Sequence, residues 1–392
     1  MLMNLKKRKI QSFIYMFLLM AYSGNPFFLR GTEVSQLVFV GIIILLLLKH
    51  HSFFLQEKSN LFYRYISLFV TVFSLQLFIL GSISIQSLFF FILKIIFAYI
   101  IIRYLSNEFK SYYFKVLFLI SLISLVGFVW NSMGNSIYSL IENDRLKSIF
   151  FYTQRDDGIR NSGMFWEPGA FAAYIIIGLL LHIGQLRSLY TSNPFKFIIV
   201  LLALITSFST TGYLVLFLFA IATILIEFSK KSILIAIPLI LLLTFIAFFT
   251  YERSTFLKDK IDHQYVTSMN RDQDEFAPSR MGAFLFDMHY IKKHPIIGNG
   301  TQEKTRYSDH KFLQGEKLGH GNGFSNFIAS MGLLTLISYS FLIIRYNKKY
   351  PWIFLLIFFI LLQGEQLLNF PIALSFPLIF YYEKYSRPVN ML

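Results

Sequence analysis

Apolar runs of roughly 17–25 residues recur from one end of this chain to the other, and they restrict its fold more than any other feature. A run of that length is what an α-helix needs to cross about 30 Å of hydrocarbon. Only helices and closed barrels satisfy all their backbone groups in lipid, and these runs lack the two-residue alternation of barrel strands. Composition agrees: 55% of residues are apolar, 46 are Phe and only 15% are charged, against about 25% charged in soluble domains. The chain therefore reads as an all-α polytopic membrane protein.

Twelve spans are expected, at 10–29, 34–48, 62–80, 84–102, 114–131, 167–186, 196–209, 211–228, 233–250, 322–344, 351–369 and 371–382. The apolar stretch 196–228 is divided at Ser209-Thr210-Thr211-Gly212, a tight-turn sequence. The first run follows Lys6-Lys7-Arg8-Lys9 and has the look of a signal peptide. It is long, carries Gly24-Asn25-Pro26 near its end and lacks a small-x-small cleavage site, so it reads as a retained anchor.

Orientation follows from Lys and Arg in the short junctions. With the N-terminus inside, the inner junctions and tail hold 19 Lys and Arg, and the short outer junctions hold one, Arg30. This predicts cytoplasmic N and C termini. The net charge of +15 resides on the inner face, where it meets anionic lipid. That distribution argues against a nucleic-acid partner; the partner is the bilayer.

Two long outer segments, 132–166 and 251–320, remain. They divide the chain into helices one to five (1–131), a first external loop (132–166), helices six to nine (167–250), a large external loop (251–320), and helices ten to twelve with a cytoplasmic tail (321–392). Loops of about 35 and 70 residues far exceed ordinary connections, and loops that long are commonly functional. Within the larger one, Phe284, Leu285, Met288 and Ile291 recur at helical spacing, which predicts a short amphipathic helix on the membrane surface.

Chemistry-bearing residues gather in and beside these loops. Arg160-Asn161-Ser162-Gly163-Met164-Phe165-Trp166-Glu167-Pro168-Gly169 closes the first loop and opens span six. Pro168 suits a first helical turn, and helix capping by Glu167 would by itself account for that carboxylate. Capping leaves Arg160, Asn161, Ser162 and Trp166 unexplained, and donors at headgroup level suit an oligosaccharide or a diphosphate. Arg280 opens the amphipathic helix, and His294-Pro295-Ile296-Ile297-Gly298-Asn299-Gly300 follows it. His320 and Asn322 stand among glycines at the entrance of span ten, which continues to Gly332-Leu333-Leu334. Inside the apolar runs, Lys94 and Glu365 are functional candidates by virtue of their charge, with a mutual contact as the structural alternative.

Together these segments resemble the O-antigen polymerase (Wzy) and O-antigen ligase superfamily of integral membrane glycosyltransferases. The resemblance rests on Arg160, Ser162, Gly163, Glu167, Pro168, Gly169, Phe171 and Ala172 in the first motif, and on Arg280, His294, Pro295, Gly298 and Gly300 in the second. His320, Asn322 and Gly332-Leu333-Leu334 match more loosely, because Gly321 separates a histidine and asparagine that are usually adjacent. Ser207 to Gly212 is similar to the family's Ser-Arg-x-Gly turn, with Thr210 where arginine is common.

The resemblance implies an inverting, metal-independent sugar transfer from a polyprenyl-diphosphate-linked oligosaccharide, without a cofactor, and work alongside a chain-length-regulating co-polymerase. Arg160 and Arg280 would then steady the diphosphate, His320 or Glu167 would take the acceptor's proton, and Asn161, Ser162, Trp166, His294 and Asn322 would hold substrate. A polymerase is the first expectation. En bloc ligation of finished glycan and a transporter without catalysis are the alternatives.

Overall fold

The computed structural model describes residues 2–29, 33–55, 61–81, 85–133, 160–227, 236–245, 280–302 and 321–385. Among the described residues the regular structure is entirely helical. The principal helices are α1 (Leu2–Ala21), α2 (Glu33–His50), α3 (Leu61–Leu80), α4 (Ile85–Leu105), α5 (Phe109–Ser132), α6 (Pro168–Leu181), α7 (Pro194–Ile205) and α8 (Thr210–Glu227). They are followed by α9 (Ala236–Phe245), α10 (Arg280–Lys293), α11 (Gly323–Tyr346), α12 (Pro351–Gly364) and α13 (Phe376–Tyr385).

Five stretches are long and apolar enough to cross a bilayer unaided: Glu33–His50, Leu61–Leu80, Ile85–Ser132, Thr210–Glu227 and Gly323–Tyr346. A sixth arises if α6 and Leu186–Ser192, bent by 101°, form one span. Helix lies within each of the twelve expected stretches, yet α7 and α12 are shorter than a full crossing. The cause is local. Glu365 interrupts the run that follows Pro351, and Thr206, Ser207 and Ser209 interrupt the run that follows Pro194. The break falls just ahead of the expected one: Ser209 is the residue before α8, and its Oγ accepts from the Gly212 N–H at 3.1 Å.

Helix α6 occupies the centre. Its sequence is apolar all round and nearly every residue is buried, as expected of a helix surrounded by others. Its small residues admit close neighbours. A Cβ on Gly178 would lie 2.8 Å from Leu117, and Ala172 crowds the position of a Cβ on Gly212 at 2.7 Å. Tyr174 stacks on Phe165 with centroids 4.5 Å apart, and the Tyr113 hydroxyl donates to the Tyr174 carbonyl at 2.9 Å. Around this centre, α5 packs on α7, α8 on α12, and α11 on α10, α12 and α13.

The helix forms where expected, and of its four spaced apolar residues Ile291 is buried and Phe284 and Met288 are half-buried. Ala283, Phe286, Asp287 and Tyr290 pack inward against α11, while Leu285 is 43% exposed. A buried bond from Ser325 Oγ to Asp287 Oδ2, 2.6 Å, ties the two helices.

The Pro295–Gly300 turn then locks onto a break within α11. At Gly332 φ is +77°, a conformation that favours glycine, and a Cβ there would lie 2.1 Å from the Ile296 carbonyl oxygen. Four backbone bonds close the joint: Leu333 and Leu334 donate to Pro295 and Ile296, and Asn299 and Gly300 donate to Ala329 and Ser330. Gln76 of α3 reaches in and donates to the Ile297 and Ser330 carbonyls at 2.6 and 2.7 Å. The histidine-proline-glycine motif and the Gly-Leu-Leu motif are thus two halves of one joint.

Candidate functional site

The turn between α7 and α8 is where the chemistry-bearing segments meet. Phe208 there holds φ at +47°, uncommon for a side chain with a Cβ. Arg160, only 6% exposed, reaches that turn from the first loop motif: Nη2 donates to the Phe208 carbonyl at 3.0 Å and Nε to Ser207 at 3.4 Å. Arg280 reaches it from α10, and its Nη1 donates to Thr211 Oγ1. Two guanidinium groups more than a hundred residues apart in sequence therefore converge on the segment Ser207–Thr211.

Carboxylates face them. Glu167 precedes α6, yet its side chain makes no capping hydrogen bond, so capping does not account for it. Its Oε1 instead accepts from Trp166 Nε1 at 3.2 Å, and its carboxyl lies close enough to that of Glu365 for the two to interact. Glu365 follows α12, is buried, and lies in the field of Arg280.

The remaining expected residues take varied places. Asn161 is engaged in structure: its amide donates to Ser124 Oγ and Thr206 Oγ1, and its Oδ1 accepts from the Gly163 N–H. Ser162 is fully buried, and its hydroxyl has no hydrogen-bond partner among the described residues. Trp166 packs on Phe370 with centroids 4.7 Å apart. Asn322 caps α11, accepting from the Phe324 and Ser325 N–H groups, and donates to Gln363 Oε1 at 2.7 Å. His294 is half-buried at the end of α10, away from the Ser207–Thr211 contacts, and its carbonyl accepts from Gly298. His320 lies outside the described residues.

Lys94 and Glu365 do not pair. Lys94 Nζ donates to the Asn369 carbonyl at 3.0 Å, while Glu365 faces Glu167. A charge inside an apolar run marked Glu365 as unusual; its true partner was invisible, because the contact joins residues about two hundred positions apart. Thr211 was marked only as part of a turn, and Gln363 not at all.

A helical membrane protein with two arginines and a carboxyl pair assembled at the ends of its helices is the class that this arrangement defines. Residues 195–340 match the family model described as O-antigen ligase, and the match bears out the resemblance to the O-antigen polymerase and ligase superfamily. It points to a glycosyltransferase-like membrane enzyme of polymerase or ligase type. The matched region includes the Ser207–Thr211 turn, Arg280 and Asn322, and stops short of Arg160 and Glu167 on one side and Glu365 on the other. No curated protein matches the chain.

Proposed function

We propose that this protein is a polymerase that joins polyprenyl-diphosphate-linked oligosaccharide repeat units into a surface polysaccharide at the outer face of the bacterial cytoplasmic membrane. The observation that carries this reading is the convergence of Arg160 and Arg280 on Ser207–Thr211, beside the Glu167–Glu365 pair. In the transfer, an acceptor hydroxyl oxygen attacks the anomeric carbon of the donor sugar. The bond from that carbon to the phosphate oxygen breaks, the diphosphate leaves with the electron pair, and the anomeric centre inverts. Charge develops on the leaving phosphate, and fixed cations in a partly dry site stabilise it strongly. Guanidinium forks match phosphate oxygens better than ammonium groups do.

The hydroxyl proton needs a base of moderate strength within reach. His320 is assigned that role, and Glu167, steadied by Glu365, holds the acceptor sugar. Full activity in His320→Ala would transfer the base role to Glu167. No metal ion takes part in the reaction as written, and a chain-length-regulating co-polymerase is the expected partner.

The decisive experiment uses purified protein in detergent with lipid-linked repeat units. Polymer lengthening supports the reading. Ligation is the second reading, favoured by the description of the matched family model. A strain lacking a ligase accumulates finished polymer on its lipid carrier, whereas a strain lacking a polymerase carries single repeat units.

A further inference from the structure

A cavity of about 440 Å³ lies beside the segment that follows α12, and Lys94 and Asn369 form part of its wall. Amides and hydroxyls of Gln36, Gln86 and Thr301 also face it, against an aromatic side made by Tyr22 and Phe91. Lys94 is the cation of this cavity. Its ammonium carries three donors, and the Asn369 carbonyl accepts from it. Among the described residues the ion pairs are Arg8–Glu108 and Lys110–Glu383, so no carboxylate balances Lys94. A cation at mid-helix depth without a counter-ion is costly, and such residues mark binding sites more often than structural ones.

The surroundings select the kind of anion. The helices that supply Gln36 and Gln86 also present Val34 at 70%, Leu37 at 71% and Ile85 at 77% exposure, surfaces that require hydrocarbon around them. A ligand that reaches the cavity from such surroundings carries a tail. The cavity is also joined to the reaction site: Phe370, next to Asn369, packs on Trp166, which donates to Glu167.

We propose that this cavity binds the phosphate or diphosphate headgroup of a second lipid, with the Lys94 ammonium as its counter-ion. Transfer between two lipid-linked substrates needs two headgroup sites, and Arg160 and Arg280 account for one. The naming of the second lipid as the acceptor substrate rests on the glycosyl-transfer reading; the headgroup site itself does not.

The test titrates the full chain, in phosphatidylcholine nanodiscs, with a polyprenyl diphosphate and counts bound molecules by native mass spectrometry. Two are expected on the unaltered protein, one on Lys94→Met and one on Arg280→Ala, with Lys94→Arg restoring the second. The site lost in Lys94→Met should weaken on the order of tenfold or more. Two molecules still bound to Lys94→Met would overturn the proposal, whatever Arg280→Ala does. Loss in Lys94→Met with none in Arg280→Ala would uphold it and remove the arginine reading instead. Phosphatidylglycerol displacing the probe from the Lys94 site alone would identify the source as bilayer lipid. Inorganic diphosphate displacing it equally well would overturn the lipid assignment. If Lys94→Met does not insert, Gln86→Leu in the cavity wall gives the same reading.

Discussion

A Cβ on Gly169 would lie 2.2 Å from Glu365 Oε1, so the glycine after Pro168 is the floor on which the Glu365 carboxyl rests. Gly169→Ala is therefore expected to push Glu365 away from Glu167 while leaving the helix itself intact, since alanine is a better helix former than glycine. Displacing a catalytic-site group by about 1 Å costs on the order of a hundredfold in rate. Polymer synthesis by the purified variant, compared with its thermal unfolding midpoint, checks this: activity should fall while the midpoint holds or rises.

Removal of either guanidinium should abolish polymer without loss of inserted protein. Arg280→Ala and Arg160→Ala are each expected to lower turnover by about a hundredfold or more, the magnitude of removing one transition-state donor. Arg280→Lys keeps the charge but not the fork, and should fall between Arg280→Ala and the unaltered protein. Near-normal chain synthesis in either alanine variant would remove the diphosphate clamp.

Gly332→Ala attacks the joint instead of the chemistry. The added methyl would meet the Ile296 carbonyl at 2.1 Å, in a backbone conformation that side chains rarely adopt. The strain should cost about 3 kcal/mol or more, seen as a lower unfolding midpoint and poor recovery from the membrane.

Gln76→Leu tests the other half of the joint. It removes the amide that donates to the Ile297 and Ser330 carbonyls in a buried setting. The expected loss is about 1–3 kcal/mol, with the same unfolding measurement as readout and the chemistry of the arginines untouched.

Addition of a strong chelator to the elongation assay should leave the rate unchanged. A chelator-sensitive rate restored by a divalent cation would show that a metal takes part and that the arginines do not act alone.

How much of this could be read in advance differs from residue to residue. The helical membrane architecture was legible because run length and backbone satisfaction in lipid leave few options. The candidate site was partly legible: Arg160, Glu167 and Arg280 stood out as polar residues beside glycines, next to long outer segments. The function of the glycines was not. Gly298 stood in the motif after the amphipathic helix and Gly332 inside span ten, and together they permit backbone-to-backbone contact between remote segments. Asn161 and Asn322 illustrate the same limit: a polar side chain beside a helix start can serve the ligand or the backbone, and here both bond the backbone or its neighbours. The inward face of α10 was only partly legible, because Ala283 is small and Asp287 is charged. A small residue and a carboxylate with a serine partner can pack as closely as leucine does.

The joint at Gly332 has a mechanical consequence. Main-chain bonds fasten the stretch after α10 to the middle of α11, and Asp287 fastens α10 itself to the start of that helix. The shaft bearing Arg280 is therefore riveted to a transmembrane column and cannot hinge outward alone. Any opening of the site then has to come from the Arg160 flank, or from α10 and α11 travelling together.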